Sequence, residues 1–248
     1  MSRERRGCLV TEELGNLHEI YQEMKRKILK WRGERGRYWV QRLVPDETYP
    51  YFSLNRLPKE PVFELVDRLL EGSKRSWSKD ELHSAWKQYL FGKELKDQEL
   101  YSGFTFAVQG VLGFARKSLP EDILQTAENY TGQVCPICGQ EAGLSVLVPP
   151  AGKRMLHCTH CDHEWSAKRV GCIHCGSEKA SEQIYLKNEN FPGVEIAFCQ
   201  SCGRDFKEVD LRKRRVEDFV WEDLRTLPLN YAAEKWIDEH PQKDRVLN

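Results

Sequence analysis

The chain has 248 residues with 38 basic and 38 acidic side chains, so its formal net charge is zero, which argues against a broad polyanion-binding face. Its 31% of charged residues and mean hydropathy of -0.64 suit a soluble protein of one large or two smaller domains. No stretch approaches the about eighteen apolar residues of a membrane span, and the Arg-rich start, Met1 to Val10, lacks the apolar run of a secretory signal.

From Thr11, the positions Leu14, Leu17, Tyr21, Met24, Ile28 and Trp31 recur in steps of three and four. That spacing predicts an amphipathic helix, with Gly33 and Gly36 as its stop. Residues 37–61 carry Pro45, Pro50, Pro58 and Pro61 and read as an irregular connection. Pro61 is placed to open a helix at Val62, with Val62, Phe63, Leu65, Val66, Leu69 and Leu70 expected to be buried. Ser78-Lys-Asp-Glu81 is a capping-box pattern ahead of Leu82, Ala85, Trp86, Tyr89 and Leu90. A longer helix is expected over 97–117, where Gly103, Gly110 and Gly113 would let a neighbouring helix approach closely. Pro120-Glu-Asp opens a last short helix toward Tyr130. Residues 1–130 therefore read as an all-α bundle whose Trp and Tyr residues are core. They contain no Gly-rich phosphate loop, nucleophile elbow or dinucleotide fingerprint.

After residue 130 the pattern changes to Gly, Pro, short β-prone runs and paired cysteines. Four Cys-x-x-Cys pairs stand at Cys135/Cys138, Cys158/Cys161, Cys172/Cys175 and Cys199/Cys202. A pair at this spacing can turn both thiolates toward one ion, and two pairs complete a tetrahedral site. Nineteen residues lie between the first and second pairs, ten between the second and third, and twenty-three between the third and fourth. Sequential pairing is the simplest: Cys135, Cys138, Cys158 and Cys161 around one metal, Cys172, Cys175, Cys199 and Cys202 around another. A cross-braced arrangement stays open at this point. Gly139, Gly176 and Gly203 follow the second cysteine of three pairs, where a positive φ would aim backbone N–H groups at sulfur; Asp162 takes that place in the other pair.

Strands are expected at Leu144–Val148, Ile184–Leu186 and Val194–Phe198. The two segments, 131–170 and 171–210, thus read as tandem rubredoxin-like or zinc-ribbon modules that depend on metal for much of their folding free energy. His157, His160, His163 and His174 are expected to be solvent-facing or hydrogen-bonding knuckle residues, because the four-thiolate sets are already complete. Sulfur ligation at this spacing does not choose between zinc and iron. Only Cys8 is left over, and it reads as an incidental thiol. In the tail, 211–248, the basic run Leu211–Arg215 is diluted by nearby acidic residues and reads as solvated surface. A terminal helix is expected from about Pro228 through Leu229, Ala232, Ala233 and Trp236, packing back onto the modules or the bundle.

With these residues in place, the chain resembles the FdhE family of formate dehydrogenase accessory proteins. The resemblance is carried by Cys135-Pro-Ile-Cys138-Gly139, by Leu156-His-Cys-Thr-His-Cys161 with Glu164-Trp165 after it, and by Arg169-Val-Gly-Cys-Ile-His-Cys175. The pair Cys199/Cys202 and the tail Asp223-Leu224, Leu227, Leu229 and Ala233 follow in order. It covers about 131–235, whereas the helical half is similar in architecture alone. This chain departs from the family pattern at Gln140–Gly143, at Asn230 and around Trp236, where the usual Gly-Tyr is missing. The resemblance implies an α+β protein with an N-terminal helical bundle, two metal modules and a short helical tail. It implies a cytoplasmic assembly factor that binds the formate dehydrogenase catalytic subunit, is not itself an enzyme, and carries two metal ions, zinc or iron. Two other functions compete: a rubredoxin-like electron carrier, and a zinc-ribbon nucleic-acid protein, against which the zero net charge speaks.

Overall fold

The computed structural model describes residues 3–93 and 95–240, with side chains from residue 14 onward in the first helix; Cys8 lies outside those described side chains. Helix α1 (Arg3–Val40) is followed by α2 (Lys59–Leu69), α3 (Lys79–Leu90), α4 (Gln98–Lys117) and α5 (Glu121–Glu128). The expected stop at Gly33 does not occur, since α1 runs through Gly33 and Gly36 to Val40. An interior glycine costs about 1 kcal/mol relative to alanine, and tertiary contacts supply the difference. The Glu64 carboxylate on α2 accepts hydrogen bonds from Trp31 Nε1 at 2.9 Å and Trp39 Nε1 at 3.2 Å. Arg35 adds two more, at 2.7 and 3.1 Å. The two indole bonds, each worth about 1 kcal/mol or more, hold the last turns of α1 in place.

Helix α2 also begins earlier than expected, at Lys59. Pro61 sits inside its first turn, where no carbonyl waits for the missing N–H. The capping box of α3 forms as its sequence dictates: Ser78 Oγ accepts from the Glu81 N–H at 3.2 Å, and Glu81 accepts from the Ser78 N–H at 2.8 Å. On α4, two of the glycines are seats for side chains of neighbouring helices. A Cβ at Gly110 would stand 2.5 Å from Leu65 Cδ2, and one at Gly113 would stand 2.8 Å from Arg32 Nη2. Arg32 uses that space to reach the Gly110 carbonyl, at 3.1 and 3.2 Å.

The second half forms one six-stranded sheet in the order β3-β2-β1-β6-β5-β4. Its strands are β1 (Leu144–Val148), β2 (Lys153–His157), β3 (Glu164–Ser166), β4 (Gln183–Lys187), β5 (Val194–Cys199) and β6 (Asp205–Asp210). Strands β1 to β3 come from one cysteine-bearing segment and β4 to β6 from the other, and each set is antiparallel within itself. They join through the parallel pair β1 and β6, with Ser145 opposite Glu208. At that seam Arg154 of β2, buried like Glu208, donates to the Glu208 carboxylate at 2.6 Å and to the Gly171 carbonyl at 2.8 Å. Ser145 Oγ donates to the same carboxylate at 2.8 Å. A buried ion pair with its remaining polar atoms largely bonded resists removal of either partner.

The tail continues with α6 (Phe219–Arg225), which the sequence pattern does not separate from its surroundings, and α7 (Leu227–Glu239). Leu229 and Ala233 of α7 pack with Val194, Ile196 and Val209 of the sheet, so the terminal helix does return to the modules. The basic run is tied down locally. Arg212 grips Asp210 with two hydrogen bonds at 2.8 Å, Arg214 pairs with Glu222 and Arg215 with Glu217.

The Arg212 hydrogen bonds prevail over burial and hold the Asp210 carboxyl at about 2, below its ordinary 3.8. A depressed carboxylate stabilises the fold fully above its unfolded value and loses that contribution as pH falls through the folded one. Asp210→Asn is therefore expected to lower the urea midpoint at neutral pH and to converge on the wild type as pH falls below about 2. An equal difference at both pH values would show that the pair is not responsible.

The chain forms two compact units. One comprises residues 1–124 with the knuckle tips 136–139 and 160–162, the other 125–135, 140–159 and 163–248. No helix among the described residues is long and apolar enough to cross a membrane.

Candidate metal centres

Each Cys-x-x-Cys pair lies on a tight turn whose geometry is set by the residue after it. Gly139, Gly176 and Gly203 take φ values of 76°, 74° and 70°, and Asp162 takes 59°. These left-handed residues fold the chain back so that the amide of the first cysteine closes the knuckle. Cys135 donates to Gln140 O at 2.7 Å, Cys158 to His163 O at 2.9 Å, Cys172 to Ser177 O at 2.9 Å and Cys199 to Arg204 O at 2.9 Å. In the third knuckle the His174 N–H points at Cys172 Sγ, 3.3 Å away. Such contacts disperse charge on a thiolate and orient it.

The eight sulfurs gather into two sets. One comprises Cys135, Cys138, Cys158 and Cys161, the other Cys172, Cys175, Cys199 and Cys202, and within each set all ligand atoms lie within 4.8 Å of one another. This is the sequential grouping, and the cross-braced alternative is not formed. Cys172 Sγ stands 3.7 Å from Cys202 Sγ, and Cys175 Sγ stands 3.8 Å from Cys199 Sγ. A tetrahedron of metal–sulfur bonds of about 2.3 Å has edges of about 3.8 Å, so the donor set fits one tetrahedral ion. Either set could hold a metal, and sulfur donors alone do not distinguish zinc from iron.

Burial works against ionising Cys199, but the Gln183 amide, 3.4 Å from its sulfur, and the Cys202 and Ser201 N–H groups bring its thiol down to about 6. Burial pushes Cys202 and Cys172 up. Cys199 thus yields its proton readily while Cys172 and Cys202 resist, and binding a cation favours their joint ionisation.

Of the two roles expected for the histidines, His157 and His174 take the hydrogen-bonding one. His157 and His163 are buried, His157 Nδ1 lies 3.3 Å from Glu164 Oε1, and the His163 ring stacks parallel to Trp165. His174 Nε2 is 3.0 Å from the Asp205 carbonyl oxygen. The sequence also gives no sign of Arg154, whose contacts end beside Cys172, or of Gln183 at the Cys199 sulfur. Both are polar residues in strands, and their partners are distant along the chain.

Comparison with known proteins finds similarity to FdhE proteins. Residues 134–169 match the model of the FdhE central domain, which spans the first set of cysteines. The FdhE homolog of Shewanella oneidensis is 36% identical over 99 residues, covering 39% of this chain and 32% of that protein. The homolog of Pectobacterium carotovorum is 34% identical over 207 residues, 81% of this chain and 62% of that protein. The chain thus spans about a third of the first relative's length and somewhat under two thirds of the second's. In fold, the crystal structure of the FdhE protein from Pseudomonas aeruginosa superposes with a TM-score of 0.59 at 20% identity, over 91% of this chain and 85% of that one. With two four-cysteine groups after an N-terminal helical region and sequence similarity that extends beyond the cysteine-bearing half, the chain is similar to FdhE proteins in sequence and in fold.

Proposed function

We propose that the chain is a cytoplasmic accessory factor in the assembly of formate dehydrogenase. It binds the catalytic subunit of that enzyme while its redox centres mature and does not itself turn over formate. The observation that carries this reading is the similarity of the chain to FdhE proteins. Each cysteine set takes one ion, zinc or iron: Cys135, Cys138, Cys158 and Cys161 hold the first, and Cys172, Cys175, Cys199 and Cys202 hold the second. The ions rigidify the knuckles into a recognition surface, and the helical half, 1–130, offers further area to a large partner.

The test is anaerobic affinity purification from the native host, with co-eluting proteins identified and metals quantified on the same sample. Recovery of a formate dehydrogenase catalytic subunit supports the proposal. Cys172→Ser is expected to abolish that recovery while the helices remain folded by circular dichroism, and capture at normal strength would sink the idea. A rubredoxin-like electron carrier is the second reading, favoured by the exposed Cys175. It requires a red iron protein with a reversible one-electron couple and no captured subunit.

A further inference from the structure

The two cysteine sets share a spacing motif but differ in access. In the first, Cys135, Cys138, Cys158 and Cys161 are all buried, at 0%, 1%, 0% and 0% exposure. Its knuckle tips are held by groups from the helical unit. The Phe52 N–H donates to the Ile137 carbonyl at 2.7 Å, the Tyr51 N–H to the Pro136 carbonyl at 3.2 Å, and Arg116 Nε to the Cys161 carbonyl at 2.9 Å. The Pro50 ring lies against Gly139, close enough that a Cβ there would be 3.0 Å from it.

Among the described residues, the second set is covered less fully. Cys175 is exposed and Cys202 half-buried. Its tips meet a few side chains: Gln133 lies against Gly176, where a Cβ would be 2.9 Å from Nε2, Glu141 pairs with Arg204, and the Ser201 hydroxyl is 3.2 Å from Ser177 Oγ, yet Cys175 stays exposed. On another side, Cys172, Ile173 and Gly176 form part of the wall of a cavity of about 430 Å³. A solute can therefore approach this set from the Cys175 edge, whereas the first set presents no sulfur to it.

We propose that the second set is an exchange site for a thiophilic divalent ion, while the first keeps its ion as part of the fold. Exchange is associative. A thiolate or carboxylate donor from solution binds the ion at the Cys175 edge, and the bond from the ion to Cys175 Sγ breaks. The freed thiolate then takes a proton from water or buffer. Repetition at Cys202, then at Cys172 and Cys199, transfers the ion whole, and no electron changes hands. Among structural sulfur sites, exposure and outer contacts set how readily an ion is lost. The inference rests on the assignment of one ion to each set, which the metal count before any challenge tests separately.

The experiment is an anaerobic challenge of the full chain with excess EDTA. Native mass spectrometry follows the metal count, and iodoacetamide labelling with peptide mapping follows the thiols. Two ions per chain are expected at the start. One should then leave faster than the other by about ten- to a hundredfold, the range over which outer contacts move metal affinity. New labels should appear first at Cys175 and Cys202, then at Cys172 and Cys199, with 135–161 unlabelled while one ion remains. A start below two ions would remove the assignment on which the inference rests, and the inference with it. Two ions at the start that leave together, that leave the first set earlier, or that both resist release would overturn the exchange proposal and leave the assignment standing.

Discussion

Cys158→Ser is expected to cost the protein one metal ion and the ordered structure of β1 to β3. Cys158 is fully buried, and its amide closes the second knuckle on the His163 carbonyl. A serine hydroxyl stays protonated at neutral pH and does not replace a thiolate as a donor. A structural zinc site contributes about 10–16 kcal/mol of apparent binding free energy, whereas a whole domain is stable by about 5–15 kcal/mol. A short segment with few strands cannot absorb a loss of that size. Metal analysis should therefore fall from two ions per chain to one, and the backbone amides of Leu156 and Trp165 should lose protection against hydrogen exchange. Two ions with unchanged protection would show that Cys158 is not a ligand. Cys175→Ser is expected to do less, because that residue is exposed and water can complete the coordination of the ion.

Arg154→Met should have the largest effect of any change away from the cysteines. The guanidinium is 1% exposed and the carboxylate it meets 3%, so removal of the arginine strands the Glu208 charge beside Ser145 alone. It also leaves the Gly171 carbonyl, next to Cys172, without its donor. Removing one partner of a buried pair costs about 3–5 kcal/mol. The double variant Arg154→Met with Glu208→Leu is expected to recover most of this loss, since replacing both charges by apolar groups of similar volume is often close to neutral. Urea unfolding of the two variants decides the matter. If the double variant were no more stable than the single one, the stranded charge would not be the cause. The position of the pair gives the effect its reach, for it crosses the parallel seam between β1 and β6 that joins the strands of the two segments.

What local spacing encodes was legible before any coordinates. Two cysteines three apart, followed by a residue that tolerates positive φ, specify a knuckle within five residues, and the gaps between pairs were enough to favour the sequential grouping that forms. The capping box at Ser78 and Glu81 and the strand Leu144–Val148 are local in the same sense. Glycine in α4 showed itself as a site of close approach because no other residue leaves that space.

Burial of charge was not legible. Strand β6 reads Asp-Phe-Lys-Glu-Val-Asp, and β2 carries Lys153, Arg154 and His157, so neither shows an apolar alternation. Yet Lys207, Glu208 and Arg154 are buried, because their partners are Asp223, Ser145 and one another. The end of α1 was misplaced for the same reason. Gly33 and Gly36 oppose a helix locally, and Glu64 on another helix decides the outcome. The difference between the two cysteine sets belongs to this class as well. Their motifs are alike, and the packing of Pro50, Tyr51, Phe52 and Arg116 on one set of knuckle tips covers it, while the other exposes Cys175 to solvent. A short window of sequence carries turn geometry and ligand spacing, but the satisfaction of a buried charge and the sealing of a site depend on groups that only the folded chain brings together.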